Sequence, residues 1–185
     1  MKRLKARALA AFRKFRLARG GLAAIEFALL LPVMLLLYLG AFEISQAVSV
    51  KRQVTLTAST VANIVTQYAS ISASQTMPDI LNASAAVLTP YSVSKAVVTV
   101  SCIAIDANGK ATVTWSQALN GTARTVGSVV NLPAGLSVPN TSLVLGETSY
   151  AYTPVIDFMH IGTLNLYSSV YMLPRSSSGT VLLTA

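Results

Sequence analysis

Residues 22–42 read LAAIEFALLLPVMLLLYLGAF and hold one charge, Glu26, in 21 positions. An α-helix rises 1.5 Å per residue, so this stretch covers about 32 Å and crosses the hydrocarbon core of a bilayer. A helix buried in a soluble core is rarely apolar all round at this length. Upstream lie Lys2, Arg3, Lys5, Arg7, Arg13, Lys14, Arg16 and Arg19, with no acid among them; soon after the span come only Lys51 and Arg52. Such a bias keeps the N-terminus cytoplasmic and exports the chain beyond the span.

The same basic start fits other targeting signals less well. A secretory signal has an apolar run of 7–15 residues before a small-x-small site. Ser45-Gln46-Ala47 offers such a site, but the run is too long and contains Glu26 and Pro32. A mitochondrial transit peptide explains the Arg-rich start and not the span. The net charge of +8 also misdirects. Eight bases sit in the first 19 residues, and the other six balance the six acids, so the body of the chain is neutral. A basic run beside an apolar helix faces lipid headgroups, and nucleic acid is not the expected partner.

Glu26 gains meaning from its neighbours. Gly20-Gly21 precede it, four small or apolar residues intervene, and Phe27 follows. This arrangement resembles the processing site of type IV prepilins: a basic leader, Gly before the cut, and Glu at the fifth position of the mature chain. The whole run from Arg19 to Pro32, followed by Glu43, resembles the TadE/TadG family of tight-adherence (Flp) pilus assembly proteins. Ser149-Tyr150-Ala151-Tyr152-Thr153-Pro154 and Met172-Leu173-Pro174-Arg175 resemble that family's C-terminal motifs. The family usually follows its second Glu with an aromatic, a Gly and an Arg. Here Ile44-Ser45-Gln46 follow, so no role for that Arg carries over.

The resemblance implies cleavage by a prepilin peptidase between Gly21 and Leu22, which removes all eight leader charges. A glycine suits the cut because a residue without a side chain admits a catalytic group close to the backbone. Glu26 then lies one turn from the new α-amine, at the positive end of the helix dipole. Glu26, Phe27 and Glu43 are the expected assembly residues, and membrane lipid, the peptidase and other Tad/Flp assembly proteins or pilins the expected partners. The implied location is a bacterial inner membrane, with a single pass and the C-terminal part periplasmic or extracellular.

Past the membrane the helical pattern continues. Ile44, Val48, Val54, Ala58, Val61, Val65 and Tyr68 keep an apolar stripe at mostly three- and four-residue spacing, and neither Gly nor Pro interrupts residues 41–77. Residues 71–76 read as a loop. Asp79 to Leu88 reads as a short amphipathic helix between Pro78 and Pro90. From Ser94 the period becomes two. Ala96 to Ile105 and Lys110 to Ser116 flank Asp106-Ala107-Asn108-Gly109, a hairpin turn. Residues 120–142 read as a long loop, and Ser142–Tyr152 and Leu164–Leu173 as two further strands. The expected fold is α+β: a leader (1–21), a span (22–42), a helical stalk (43–68) and a head with a small antiparallel sheet (69–185), a pilin-like lollipop.

Composition argues against catalysis. The chain is 53% hydrophobic and 11% charged, with one His and one Cys. One Cys excludes an internal disulfide, and one His with a distant Cys cannot supply the ligands of a zinc site. Asp157 and His160 invite a hydrolytic reading, yet a pair in a turn is more simply a solvated or core-edge contact. Cys102, mid-strand, is expected to pack as a small hydrophobe. Asn82, Asn120 and Asn140 match a glycosylation pattern that Ser/Thr-rich sequence produces by chance. No phosphate-binding loop, catalytic residue, cofactor or metal ligand is expected. The leading expectation is a pseudopilin-like protein that helps assemble a Flp/Tad pilus by non-covalent packing. The alternative is an uncleaved, membrane-anchored binding or adhesive head.

Overall fold

Helix α1 runs without a break from Gly20 to Thr66, carrying Pro32 inside it. Pro32 has no N–H to give, so the Ala28 carbonyl loses its partner one turn back; spanning helices tolerate this better than soluble ones. In the computed structural model the described residues are 20–133, 135–157, 162–177 and 179–185. The chain divides into two compact units, residues 1–44 and 45–185.

The first unit presents, among its described residues, a single apolar helix. Ile25 is 60% exposed, Leu29 71% and Leu37 70%. Fully burying one such side chain is worth about 1.5–3 kcal/mol, so a run of them facing outward marks a surface that lipid or protein covers.

In the second unit the rest of α1 becomes core. Val50, Val54, Ala58, Val61, Ala62 and Val65 are fully buried along one face. They pack on a four-stranded antiparallel sheet built from β2 (Ala96–Ile105), β3 (Ala111–Leu119), β4 (Thr141–Tyr152) and β5 (Leu164–Met172), in the order β3-β2-β4-β5. The helix can come this close because β4 has no side chain at Gly146. A Cβ there would lie 2.4 Å from the Ala58 carbonyl oxygen. Alternate residues of the strands divide the sheet's two faces. Val98, Val100, Cys102 and Val144 turn toward α1, whereas Ile103, Leu143 and Leu145 form a second cluster under Val130, Leu132 and Leu136 of the long loop.

The β2–β3 hairpin turns where its sequence says. Asp106 Oδ1 accepts the Asn108 and Lys110 amides at 2.8 and 2.9 Å, and Gly109 takes a φ of 80°. A bulge opposite Cys102 puts Trp115 in register with Cys102 and Val113 with Ile103. The intervening Thr114 hydroxyl bonds the Cys102 carbonyl at 3.0 Å. That extra residue sends Trp115 to the helix face and Val113 to the loop face.

Two local readings differ from the structure. Helix α2 spans Thr76–Ala86, beginning three residues before Asp79. Pro78 therefore lies in its first turn, where a missing N–H costs no helical hydrogen bond. Residues 71–76 are not all loop either: β1 (Ser70–Ser72) pairs in parallel with β6 (Leu182–Thr184). Neither three-residue strand is long enough to show a period. Ile71 and Val181 enter the main core, and the Trp115 indole N–H donates to the Val181 carbonyl at 2.7 Å.

Candidate functional site

The sequence-derived candidates sit on α1. Gly21 is exposed, with nothing within 4 Å of where a Cβ would stand. Leu22 lies in the helix, but its side chain is outside the described residues. Glu26 is exposed, and Phe27 is 60% exposed. Glu43, by contrast, is buried at 8% exposure. Seventeen residues separate the two acids, about 26 Å of helix and about 100° around its axis. The structure therefore keeps Glu26 and Glu43 apart. One stands near each end of the apolar stretch, on different faces, and only the first is open to a partner.

A second polar site, which the sequence reading passed over, lies on the loop face of the sheet. Glu147 of β4 is buried at 8% exposure. Arg124, at the start of the long loop, grips it with two parallel bonds: Nε to Oε2 at 2.6 Å and Nη2 to Oε1 at 2.7 Å. The Tyr167 hydroxyl of β5 adds a third bond to Oε1 at 2.5 Å. Burial pushes the Glu147 carboxyl up, but the guanidinium fork and the Tyr167 hydroxyl outweigh it and hold the group below its ordinary value. The same bond raises Arg124, and burial with the Glu147 charge raises the Tyr167 phenol. Thr99, Thr122 and Ser149 help line a cleft of about 220 Å³ beside the pair. Both carboxylate oxygens are engaged, so the arrangement is a charge-neutral clip that ties the loop to the sheet. Its signal in the sequence is plain in hindsight: Arg124 and Glu147 are the only charges between Lys110 and Asp157.

Among the described residues the remaining candidates assemble nothing further. Asp157 Oδ1 accepts the Gly162 amide at 3.2 Å across its own turn, and His160 lies outside the described residues. Cys102 is free and fully buried, its sulfur 3.9 Å from the Thr180 hydroxyl, as expected of a small hydrophobe. No group of three potential metal ligands occurs among the described residues. The Tyr150 and Tyr152 rings of the C-terminal motif are buried against Val50 and Val54, with Tyr91 edge-on to Tyr150 at 6.4 Å.

The exposed apolar helix, Gly21 at its start and Glu26 five positions on carry the site's meaning. The family model of TadE-like proteins matches residues 21–63. Over this segment the chain is similar to TadE-like proteins. The match begins at Gly21, takes in Glu26, Phe27 and Glu43, and ends on the helix face beneath the sheet. It bears out the resemblance to that family over residues 21–43. Among the described residues, one helix is long and apolar enough to cross a bilayer, and the TadE-like match falls on it. No curated protein and no solved structure matches the chain.

Proposed function

We propose that the protein is a pseudopilin-like component of a Flp/Tad pilus machine, stored in a bacterial inner membrane with its N-terminus cytoplasmic and residues after the span exported. The observation that carries this reading is the TadE-like segment, whose exposed apolar helix holds an exposed carboxylate five residues after Gly21. A prepilin peptidase cuts after Gly21. Leu22 becomes the new N-terminus, and the leader that held the chain in its cytoplasmic orientation is lost. The freed helix then packs against those of other Tad pilins or assembly proteins, exchanging lipid contacts for protein contacts of equal apolarity.

Glu26 fits that exchange. A carboxylate within a span costs about 2.5–3.5 kcal/mol at the centre and less near the interface. Leu or Ala would insert better. Pairing with an α-amine, its own or a neighbour's, compensates this cost where water is excluded. Phe27, exposed at the next position, offers a neighbouring helix an apolar ring, and Glu43 acts from its buried place at the far end of the span.

The test is the N-terminal mass of the protein purified from cells that assemble pili. The expected mass is that of a chain beginning at Leu22. Gly21→Val should leave the full-length mass and abolish pilus formation. Wild-type protein that keeps residues 1–21 in piliated cells would favour the uncleaved, anchored head instead.

A further inference from the structure

The four-stranded sheet has two edges, and the chain treats them differently. Along β3, residues 127–130 run as a partner. The Val113 and Val130 amides donate to the Ser128 and Ala111 carbonyls at 3.0 Å. The Gly127 amide returns to the Val113 carbonyl at 2.8 Å, and Thr112 bridges Val129. Among the described residues, no such segment runs along the outer side of β5.

One bond shows which groups this open edge presents. The Lys51 ammonium donates to the Tyr167 carbonyl, which therefore points away from β4. Backbone groups of an antiparallel strand turn to alternate sides. Asn165, Tyr167, Ser169 and Tyr171 direct their N–H and C=O outward, and the residues between them bond β4.

Proteins commonly shorten an open edge, bend it with a bulge, or plant Pro or charge in it. Strand β5 does none of these. It is nine residues long, keeps unbroken register with β4, and reads LNLYSSVYM, with no Pro, Gly or charge. Its two faces alternate as in a strand that has neighbours on both sides. Leu164, Leu166, Val170 and Met172 are half-buried on the helix side, and Asn165, Tyr167 and Ser169 are exposed on the other.

The charge that touches the edge decides the occupant. Lys51 is exposed, and an ammonium has three N–H donors, of which the Tyr167 carbonyl takes one. A second copy of β5, pairing antiparallel, brings a second Lys51 to the same seam, where like charges oppose it. A strand with a carboxylate at that place gains an ion pair instead.

We propose that the outer edge of β5 receives an extended segment of a partner protein, apolar on the helix side of the sheet and carrying an Asp or Glu opposite Lys51. Main-chain bonds to Asn165, Tyr167, Ser169 and Tyr171 supply the grip, and Lys51 the selection. The sheet gains a fifth strand. The proposal stands on the sheet unit alone and holds whether or not the chain is processed at Gly21.

The experiment uses the full chain in detergent and two fluorescent peptides of the length of β5 that alternate Val and Thr, one with Glu at its centre and one with Lys. Fluorescence anisotropy reads binding. The Glu peptide is expected to bind about fivefold tighter than the Lys peptide, the ratio an exposed ion pair supplies, and Lys51→Glu to invert the order. Ser169→Pro deletes an outward N–H that β4 does not use, a change that edge strands tolerate, and should remove binding of both peptides. Ser169→Ala keeps that N–H and should bind as wild type does. Trp115 emission identical to wild type certifies the fold of each variant; should Ser169→Pro disturb it, the inversion at Lys51 decides alone. Binding of neither peptide to the wild type, equal affinity for the two, or binding that survives Ser169→Pro overturns the proposal. So does a dimer in sedimentation that Ser169→Pro dissolves, because the occupant is then a second copy.

Discussion

Gly146 fixes the distance between helix and sheet. Any side chain there points at the Ala58 carbonyl and the Ala62 and Val61 side chains, and a backbone oxygen on a packed helix cannot swing aside. Overpacking of this kind costs about 1–3 kcal/mol. Gly146→Val is therefore expected to lower the unfolding free energy read from a urea titration by about that amount, while a substitution at Gly127, open all round, is limited to its backbone cost. Glu147 sets a different constraint. Its carboxyl is held below its ordinary value, so its contribution to stability is complete above the unfolded Glu pKa of about 4.3 and is lost as pH falls through the lowered native value. Glu147→Gln should flatten the acid limb of a stability-against-pH curve. Arg124→Ala leaves a buried carboxylate with only the Tyr167 hydroxyl, and should cost about 1–3 kcal/mol at neutral pH in the same urea titration.

Among the elements, helix α1 was the most legible and the β1–β6 pair the least. The apolar run and the three- and four-residue stripe through Val54, Val61 and Val65 announced a long helix, because 3.6-residue periodicity survives over many turns. Asp106 and Gly109 announced their hairpin through turn chemistry alone. What the stripe would pack against could not be read, since that depends on which strand lacks a side chain opposite Ala58. The Arg124–Glu147 clip shows in the sequence only as two isolated charges of opposite sign; that they meet across 23 residues depends on how the long loop returns from β3 over β2 to β4. Strands β1 and β6 join residues more than a hundred positions apart through three pairs, too short for any pattern. Yet they matter to the core. Removing residues 181–185 takes away the acceptor of the single tryptophan and uncovers Ile71. That truncation is expected to shift Trp115 emission to the red and to lower the thermal midpoint, which fluorescence and circular dichroism would register together.

For the whole molecule, charge does the orienting. Eight bases before the span against two soon after it place the sheet unit outside the cytoplasm under the proposed reading. A reporter active only after export, fused after Ala185, should be active; one active only in the cytoplasm should be silent, and the reverse pattern would overturn the orientation. Within the sheet unit, α1 has a further consequence, a mechanical one. The helical segment that fills the core lies along β4 from Val50 to Val65. A pull on the N-terminal end of that segment acts on the sheet unit directly. It loads the helix–sheet contact lengthwise, so that all the buried valines must slip together before any one lets go. Peeling would break them in succession at low force. Loaded in shear, the unit is built to be drawn out by its anchor without unravelling.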